Sequence, residues 1–227
     1  MLMRYFLVLL VCLLWFQHDM TGQTHADPKA SRRTTRLFQN LKLISQQGFM
    51  LGHQDDQAYG VGWRAEPGRS DILETAGSFP AVHGWDIGKR LIYDFNIDTV
   101  DFDDMVYWMK EAYKRGGINT ISWHLDNLTT GGDSWDKTPS VKDLLPGGNK
   151  HLLFVNELDL LAIMLGELKK GWSKIPVIFR PWHEHNGSWF WWGKGNCTEE
   201  EYIQLFRFTV EYLRDVKNIH HLLYAFS

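Results

Sequence analysis

The chain has 227 residues, of which 44% are hydrophobic and 22% charged, which is enough material for one sizeable domain with its own core. Its formal net charge of −3 argues against a nucleic-acid-binding protein, because such proteins usually present a basic face. Aromatic residues make up 14% of the chain and include 11 tryptophans, so either the core is rich in tryptophan or a surface stacks on ring-shaped ligands.

The first element in chain order is a predicted secretory signal. Arg4 precedes an apolar run over residues 5–16, which is too short to cross a bilayer as a helix. Thr24 and Ala26 place small residues at the −3 and −1 positions of a cleavage site. Residues 1–26 are therefore predicted to be removed, leaving a secreted or periplasmic protein without a membrane span. The alternative is an uncleaved anchor.

Behind the signal, short apolar segments alternate with longer amphipathic ones. Five segments are too short for helices, are flanked by Gly or Pro, and predict buried strands: residues 48–54, 79–88, 118–124, 175–184 and 221–227. Helices are predicted over residues 99–115 and 152–170, each followed by glycine, and from Thr198, which begins a capping-box pattern with Glu201. Strands that alternate with helices predict a parallel sheet with helices packed on it.

Polar residues that can carry chemistry follow most of these strands. Asp86, His124 and Glu184 stand near the ends of three of them. In a (β/α)8 barrel, or TIM barrel, side chains from the carboxyl ends of the strands build the active site. An open doubly wound sheet would also place its site there, but the glycine-rich phosphate-binding fingerprint of that fold does not follow an early strand. Nucleotide binding is therefore not expected.

The number of strands favours an incomplete barrel. Five predicted strands occupy roughly 180 residues, so eight would need roughly 280–300, which lies within the usual range of the fold. The sequence stops on a predicted strand, and five barrel strands alone would leave two open sheet edges. We therefore expect an α/β fold, namely a TIM barrel truncated after about the fifth strand, and prefer it to a complete five-stranded open sheet.

The segment RPWHEHNGSWFWWG, residues 180–193, carries the clearest chemical signal. Its Glu184 follows a predicted strand and lies among tryptophans, so lost hydration is expected to raise the pKa of the carboxyl group. A carboxyl group that stays protonated near neutral pH is suited to general-acid catalysis. The alternative is an ion pair between Glu184 and Arg180 or a nearby histidine.

The tryptophans of this segment favour a carbohydrate ligand. Trp189, Trp191 and Trp192 follow a Gly-Ser turn, so they are predicted to lie on a loop where a ligand docks. The apolar faces of sugar rings pack on aromatic rings, while sugar hydroxyls need polar partners. Trp108 and Trp172 are instead predicted to lie in the core.

No metal site is expected, although the chain has ten histidines. His183 and His185 are two residues apart, which on a strand would place them on one face. Neither an HExxH motif nor paired cysteines accompany them. We therefore expect a metal-independent protein without a cofactor.

The segment around Glu184 resembles the one that carries the catalytic acid in glycoside hydrolase family 26, whose best-known members are endo-β-1,4-mannanases. Four further segments resemble that family in the right order: GHQDDQAYGVGW (52–63), HGWDIG (83–88), GGINTISWHLDN (116–127) and TTGGDSWD (129–136). The first of them resembles the secreted mannanases of gut Bacteroidetes in particular. The resemblance implies that residues 27–227 are the N-terminal part of a family 26 catalytic domain.

The resemblance also implies roles for individual residues. Glu184 corresponds to the acid/base that protonates the leaving glycosidic oxygen and later activates water. His183 and His124 correspond to histidines beside the sugar that carries the reacting carbon. Further residues expected to contact substrate are Trp189, Trp135 and Asp86.

A retaining glycosidase needs a second carboxylate as nucleophile, roughly 5–5.5 Å from the first. In the family this is a glutamate at the end of the seventh strand, and no residue of this chain matches it. If the chain were complete, Asp86, Asp126 or Asp133 would have to act instead. The resemblance implies hydrolysis of internal β-1,4 bonds of mannan. The alternatives are another β-glucan or a β-xylan as substrate, or a non-catalytic protein that binds carbohydrate.

Overall fold

The computed structural model describes residues 25–227 and contains one main parallel sheet. In chain order the strands are β1 (Gly52–Gln54), β2 (Tyr59–Gly60), β3 (Trp63–Arg64), β4 (Val82–Asp86), β5 (Ile118–Trp123), β6 (Lys169–Lys170), β7 (Ser173–Lys174), β8 (Val177–Pro181) and β9 (Leu222–Tyr224). In the main sheet β1, β4, β5, β8 and β9 are neighbours in that order, so each crossover connection moves one strand along the sheet, as in a (β/α)8 barrel. Two small antiparallel hairpins, β2–β3 and β6–β7, stand apart from it.

One helix precedes the first strand, and the others lie between later strands of the chain. The helices are α1 (Arg32–Ile44), α2 (Asp71–Ala76), α3 (Phe102–Lys114), α4 (Val141–Leu144), α5 (His151–Glu167) and α6 (Glu199–Glu211), which runs into a π-helical turn (Tyr212–Val216). The three predicted helices are confirmed as α3, α5 and α6. Helix α6 begins with the predicted capping box, in which Thr198 Oγ1 accepts from Glu201 N and the Glu201 carboxylate accepts from Thr198 N.

The predicted strands at 79–88, 118–124, 175–184 and 221–227 are confirmed in shorter form as β4, β5, β8 and β9. The expectation of a buried strand over residues 48–54 is wrong in extent and burial. Strand β1 has three residues, all exposed, because it lies at the edge of the sheet and pairs with β4 alone among the described residues. The apolar Phe49 and Leu51, which suggested burial, precede the strand and are exposed.

The two faces of the sheet differ in burial. On β5 the side chains of Asn119, Ile121 and Trp123 are buried, and the alternating residues are half-buried. Helix α3 covers the buried face: its Trp108 stacks on Trp85 with ring centroids 6.3 Å apart. The half-buried face corresponds to the one that points inward in a barrel.

The predicted signal lies outside the described residues except for His25 and Ala26, so the domain boundary at residue 26 stays a prediction. The predicted mature protein starts at Asp27, whose buried carboxylate lies 2.9 Å from Nδ1 of His220, just before β9. Within residues 25–227, no helix is long and apolar enough to cross a bilayer.

Candidate active site

The carboxyl edge of the sheet brings together four of the predicted site residues. Asp86 is the last residue of β4, His124 directly follows β5, and His183 and Glu184 follow β8 by two and three residues. His124 lies between two of them: its Nδ1 is 2.7 Å from Asp86 Oδ2, and its Nε2 is 3.2 Å from Nε2 of His183. The parallel arrangement of the strands produces this convergence, because their carboxyl ends meet at one edge.

Glu184 lies on a strained turn. Both Trp182 and Glu184 have a left-handed backbone, with φ of 53° and 55°. For a non-glycine residue this conformation costs about 1–3 kcal/mol and persists only where the surrounding structure fixes it, often in a functional site. The Glu184 carbonyl accepts a hydrogen bond from Gly187 N at 2.9 Å, which closes the turn.

The Glu184 side chain is exposed, so the expectation that tryptophans bury it is wrong for the described chain. Its Oε2 accepts a hydrogen bond from Nε1 of Trp189 at 3.1 Å. Among the described residues it forms no ion pair, and Arg180, the alternative partner, donates to Ser227 Oγ instead. The carboxylate therefore faces solvent and is oriented by one indole donor.

The tryptophans around Glu184 divide into two groups. Trp189 is 44% exposed and lies at the surface, as predicted. Trp191 and Trp192 are fully buried, and their indole groups donate to the carbonyls of Leu125 and His183, each at 2.9 Å. The prediction that these two rings contact a ligand is therefore wrong: they anchor the loop to the core and leave its surface to Trp189.

Gly187 makes room for the ring of Trp189. A Cβ atom at Gly187 would overlap the six-membered ring of Trp189, although the backbone of Gly187 is compatible with alanine. We expect Gly187→Ala to displace the ring and break its hydrogen bond to Glu184, at a cost to stability of at most about 1–3 kcal/mol. The check is the indole N–H resonance of Trp189, identified from Trp189→Phe. Ser188→Ala is the control and should leave it in place, whereas an unmoved resonance in Gly187→Ala would contradict the packing described.

Asp86 is 3% exposed, and its carboxylate is surrounded by protein donors. Its Oδ1 accepts from Gly88 N at 2.6 Å, and its Oδ2 accepts from Ser122 Oγ at 2.6 Å and lies 2.7 Å from His124 Nδ1. Burial by itself would raise the pKa of Asp86, but the hydrogen bonds from His124, Ser122 and Gly88 outweigh it and hold the pKa below its ordinary value. Asp86 is therefore a charged group in a closed protein setting, which does not suit the predicted direct contact with substrate.

Aromatic rings surround the two histidines. The ring of Trp135, 44% exposed, stacks on His124 with centroids 5.2 Å apart and planes at 12°. Phe190 packs edge-on against both His124 and His183. His183 is buried, and burial lowers its pKa to about 4, with the neighbouring His124 acting in the same direction. His183 is therefore neutral at physiological pH.

His185 does not share a face with His183. Strand β8 ends at Pro181, and the turn that follows directs His185 toward Tyr202. The two rings stack with their centroids 4.4 Å apart. His183 instead points to His124. The alternation expected of a strand fails here because residues 182–185 form a turn.

Three further residues belong to this edge, of which the sequence indicated Asp55 and Asp126 by their positions after predicted strands. Asp55 directly follows β1, and burial raises its pKa to about 7, with the nearby Asp98 adding to the effect. Asp126 lies just beyond β5, and burial raises its pKa to about 6. Phe190, which packs on His124 and His183, is the one of the three that the sequence did not indicate, because its apolar side chain lies in a run of aromatic residues and carries no polar signal of its own.

Fold and site together define the class of the protein. A parallel α/β sheet that gathers a carboxylate, two imidazoles and exposed indoles at its carboxyl edge has its site where a (β/α)8-barrel enzyme builds its active site. The family model described as "Glycosyl hydrolase family 26" matches residues 26–227. The chain therefore belongs to glycoside hydrolase family 26.

Individual relatives agree with this assignment. The chain is 38% identical over 211 residues to a mannan endo-1,4-beta-mannosidase of Bifidobacterium adolescentis, covering 89% of this chain and 21% of that protein. Among solved structures, it is similar to a family 26 β-mannanase of Bacteroides ovatus, with a TM-score of 0.83, 42% identity, and coverage of 86% of this chain and 58% of that one. A modular endo-β-1,4-mannanase of Cellulomonas fimi also gives a TM-score of 0.83, at 35% identity, with coverage of 89% and 47%. The chain thus spans about half the length of the solved relatives.

Proposed function

We propose that the chain is part of a retaining endo-β-1,4-mannanase that cleaves internal bonds of mannan, with Glu184 as its general acid/base. The observation that carries the proposal is the Glu184 carboxylate, which is exposed at the carboxyl edge of the sheet, oriented by Trp189, and next in sequence to His183. The activity named for the relatives in Bifidobacterium and Bacteroides supports mannan as the substrate.

The surrounding groups suit a sugar at this edge. The exposed indoles of Trp135 and Trp189 offer faces for the C–H surfaces of sugar rings. His124 is partly exposed and offers a polar edge beside them, and His183 lies behind it. Asp86 has no free face for a hydroxyl, so we assign direct sugar contact to Trp135, Trp189 and His124, with His183 supporting His124 from behind.

In the proposed reaction, Glu184 donates its proton to the glycosidic oxygen as the bond to the anomeric carbon breaks. A covalent glycosyl-enzyme forms on a second carboxylate, and Glu184 then takes a proton from the water that releases the sugar. A polysaccharide laid over the exposed carboxyl group would exclude bulk water from it, so that the proton passes directly between Glu184 and the glycosidic oxygen.

We place the nucleophile outside residues 1–227. Asp86, the most central carboxylate of the described edge, is unsuited to that role because both of its oxygens are occupied by protein donors. The coverage of only 58% of the Bacteroides ovatus enzyme supports the same view, since that protein has further chain beyond the matched part.

We also propose export of the protein. The support is the signal pattern of residues 1–26 and a family match that starts at residue 26, the last residue of the predicted signal. Secretion or periplasmic location would place the enzyme where polysaccharide is available.

The test of the proposed function is a fusion. The carboxy-terminal part of the Bacteroides ovatus β-mannanase that lies beyond the matched segment is joined after Ser227, and release of reducing sugar is measured on mannan, lichenan and xylan. We expect hydrolysis of mannan by the fusion and binding without hydrolysis by residues 27–227 alone, after circular dichroism shows that both are folded. Preferred hydrolysis of lichenan or xylan would support the other substrates, and a folded fusion that binds mannan without hydrolysing it would support a carbohydrate-binding protein.

A further inference from the structure

Asp86 is a charged carboxylate at the end of a strand, yet it is buried and both of its oxygens are bonded to groups of the protein. Its Oδ1 is held by Gly88 N, and its Oδ2 receives the Ser122 hydroxyl and faces His124 Nδ1. It cannot reach a sugar directly. Any effect of Asp86 on the exposed part of the site must therefore pass through His124, the partner that also stacks on the exposed ring of Trp135.

The hydrogen-bond donors and acceptors determine where the protons lie. A carboxylate only accepts, so His124 must carry a proton on Nδ1. In neutral His124 the Nε2 atom then has a lone pair, and His183, 3.2 Å away, must donate from its own Nε2. This leaves Nδ1 of His183 without a proton, and that buried atom has no partner among the described residues.

The opposite arrangement is less favourable. If His124 carried protons on both nitrogens, His183 would have to accept on Nε2 and bear its proton on Nδ1. A buried N–H without an acceptor would result, and orphaned buried N–H groups are rarer in proteins than acceptors without a donor. One line of bonds, from Asp86 through His124 to His183, therefore sets the protonation of both rings.

We propose that Asp86 is a positioning residue that holds His124 in the tautomer protonated on Nδ1, and through it holds His183 in the tautomer protonated on Nε2. The orientation of the ring matters because His124 also stacks on Trp135, so a turned imidazole would disturb the indole face offered to the sugar. The consequence for sugar binding rests on the proposed function, whereas the tautomers do not.

Asp86→Asn tests the proposal. Gly88 N–H must face the amide oxygen of the new side chain, which directs the amide NH2 group toward His124 Nδ1. His124 can then accept only if its proton moves to Nε2. With the chain labelled with 15N-histidine, long-range 1H–15N correlation spectra at neutral pH should show neutral His124 protonated on Nδ1, and protonated on Nε2 in Asp86→Asn. The signals are identified from His124→Gln.

Ser122→Ala is the matched control, because it removes another donor to the same carboxylate oxygen and should leave the His124 tautomer unchanged. Protonation of His124 on Nε2, or on both nitrogens, in the unaltered chain would overturn the proposal. So would an Asp86→Asn variant in which His124 keeps its proton on Nδ1. The first of these readings needs no variant, so a variant that fails to fold does not prevent the test.

Mannohexaose affinity of the same samples separates this inference from the proposed function. We expect Asp86→Asn to weaken binding roughly ten- to a hundredfold, by analogy with the loss of partners that orient metal-ligating histidines. A tautomer switch with unchanged affinity would support the positioning role of Asp86 and would count instead against a sugar site beside His124.

Discussion

Glu184→Ala is expected to lower the turnover of mannan by about 10²–10⁴-fold in the fusion that hydrolyses it, because the leaving glycosidic oxygen loses its proton donor. The side chain is exposed and contacts one indole, so its removal should not unfold the protein. The measurement is the initial rate of reducing-sugar release at saturating mannan, with circular dichroism of both proteins as a check on folding.

Glu184→Gln is the control for shape. The amide oxygen can still accept from Trp189 Nε1, but the group can neither give nor take the proton. We expect it to lose about as much turnover as the alanine variant and to bind mannohexaose nearly as well as the unaltered protein. A glutamine variant with near-normal turnover would show that Glu184 orients the loop and does not transfer a proton.

Trp182→Ala is expected to have the largest effect on stability, about 3–5 kcal/mol, because it removes a large ring from a closely packed interior. Trp182 is fully buried and packs against Trp123, Trp191 and Trp192, with centroids 5.3 to 5.6 Å apart. Its indole also donates to Thr209 Oγ1 on helix α6 at 3.0 Å. Since a typical domain is stable by only about 5–15 kcal/mol, the variant should be close to unfolding.

Urea unfolding followed by far-ultraviolet circular dichroism measures this loss. Trp172→Ala is the control: that ring is fully exposed at the tip of the β6–β7 hairpin, so its removal should change the unfolding free energy by no more than about 0.5 kcal/mol. Equal effects of the two substitutions would contradict the burial that distinguishes them.

Much of the fold could be predicted from the sequence because its signals are local. The alternating burial on β5, the glycines after α3 and the capping box of Thr198 each depend on residues that are close together in the chain. Helices α2 and α4 escaped prediction because they have only 6 and 4 residues, too few to show a helical period. Helix α1 has 13 residues, but Thr34 is its one buried residue, so it shows only a weak core-facing pattern in the sequence.

The site was predictable in composition but not in orientation. The strand ends indicated Asp86, His124 and Glu184, yet the sequence could not show that a left-handed turn after β8 exposes Glu184 to solvent. Nor could it show that the next turn sends Trp191 inward and Trp189 outward, since both follow the same Gly-Ser pair. Side-chain direction in a turn depends on backbone dihedrals and on long-range packing, neither of which a periodic pattern records.

Trp172 and Trp192 show why the burial of a tryptophan is hard to predict from the sequence. Trp172 was expected in the core and is fully exposed, whereas Trp192, expected at a ligand surface, is fully buried. Tryptophan occurs in both settings because its large apolar body carries one polar N–H group. Whether a tryptophan is buried depends on whether the fold offers its N–H group an acceptor, as the His183 carbonyl does for Trp192.

The most direct test of the central claim is azide rescue of Glu184→Ala in the mannan-hydrolysing fusion. With an aryl β-mannoside whose leaving group needs no protonation, the glycosyl-enzyme forms without Glu184, and azide can replace the water that Glu184 would have activated. The account predicts faster turnover with azide and a β-mannosyl azide product, because azide attacks from the face that Glu184 occupied. No rescue, or an α-mannosyl azide, would contradict the assignment of Glu184 as the acid/base of a retaining enzyme.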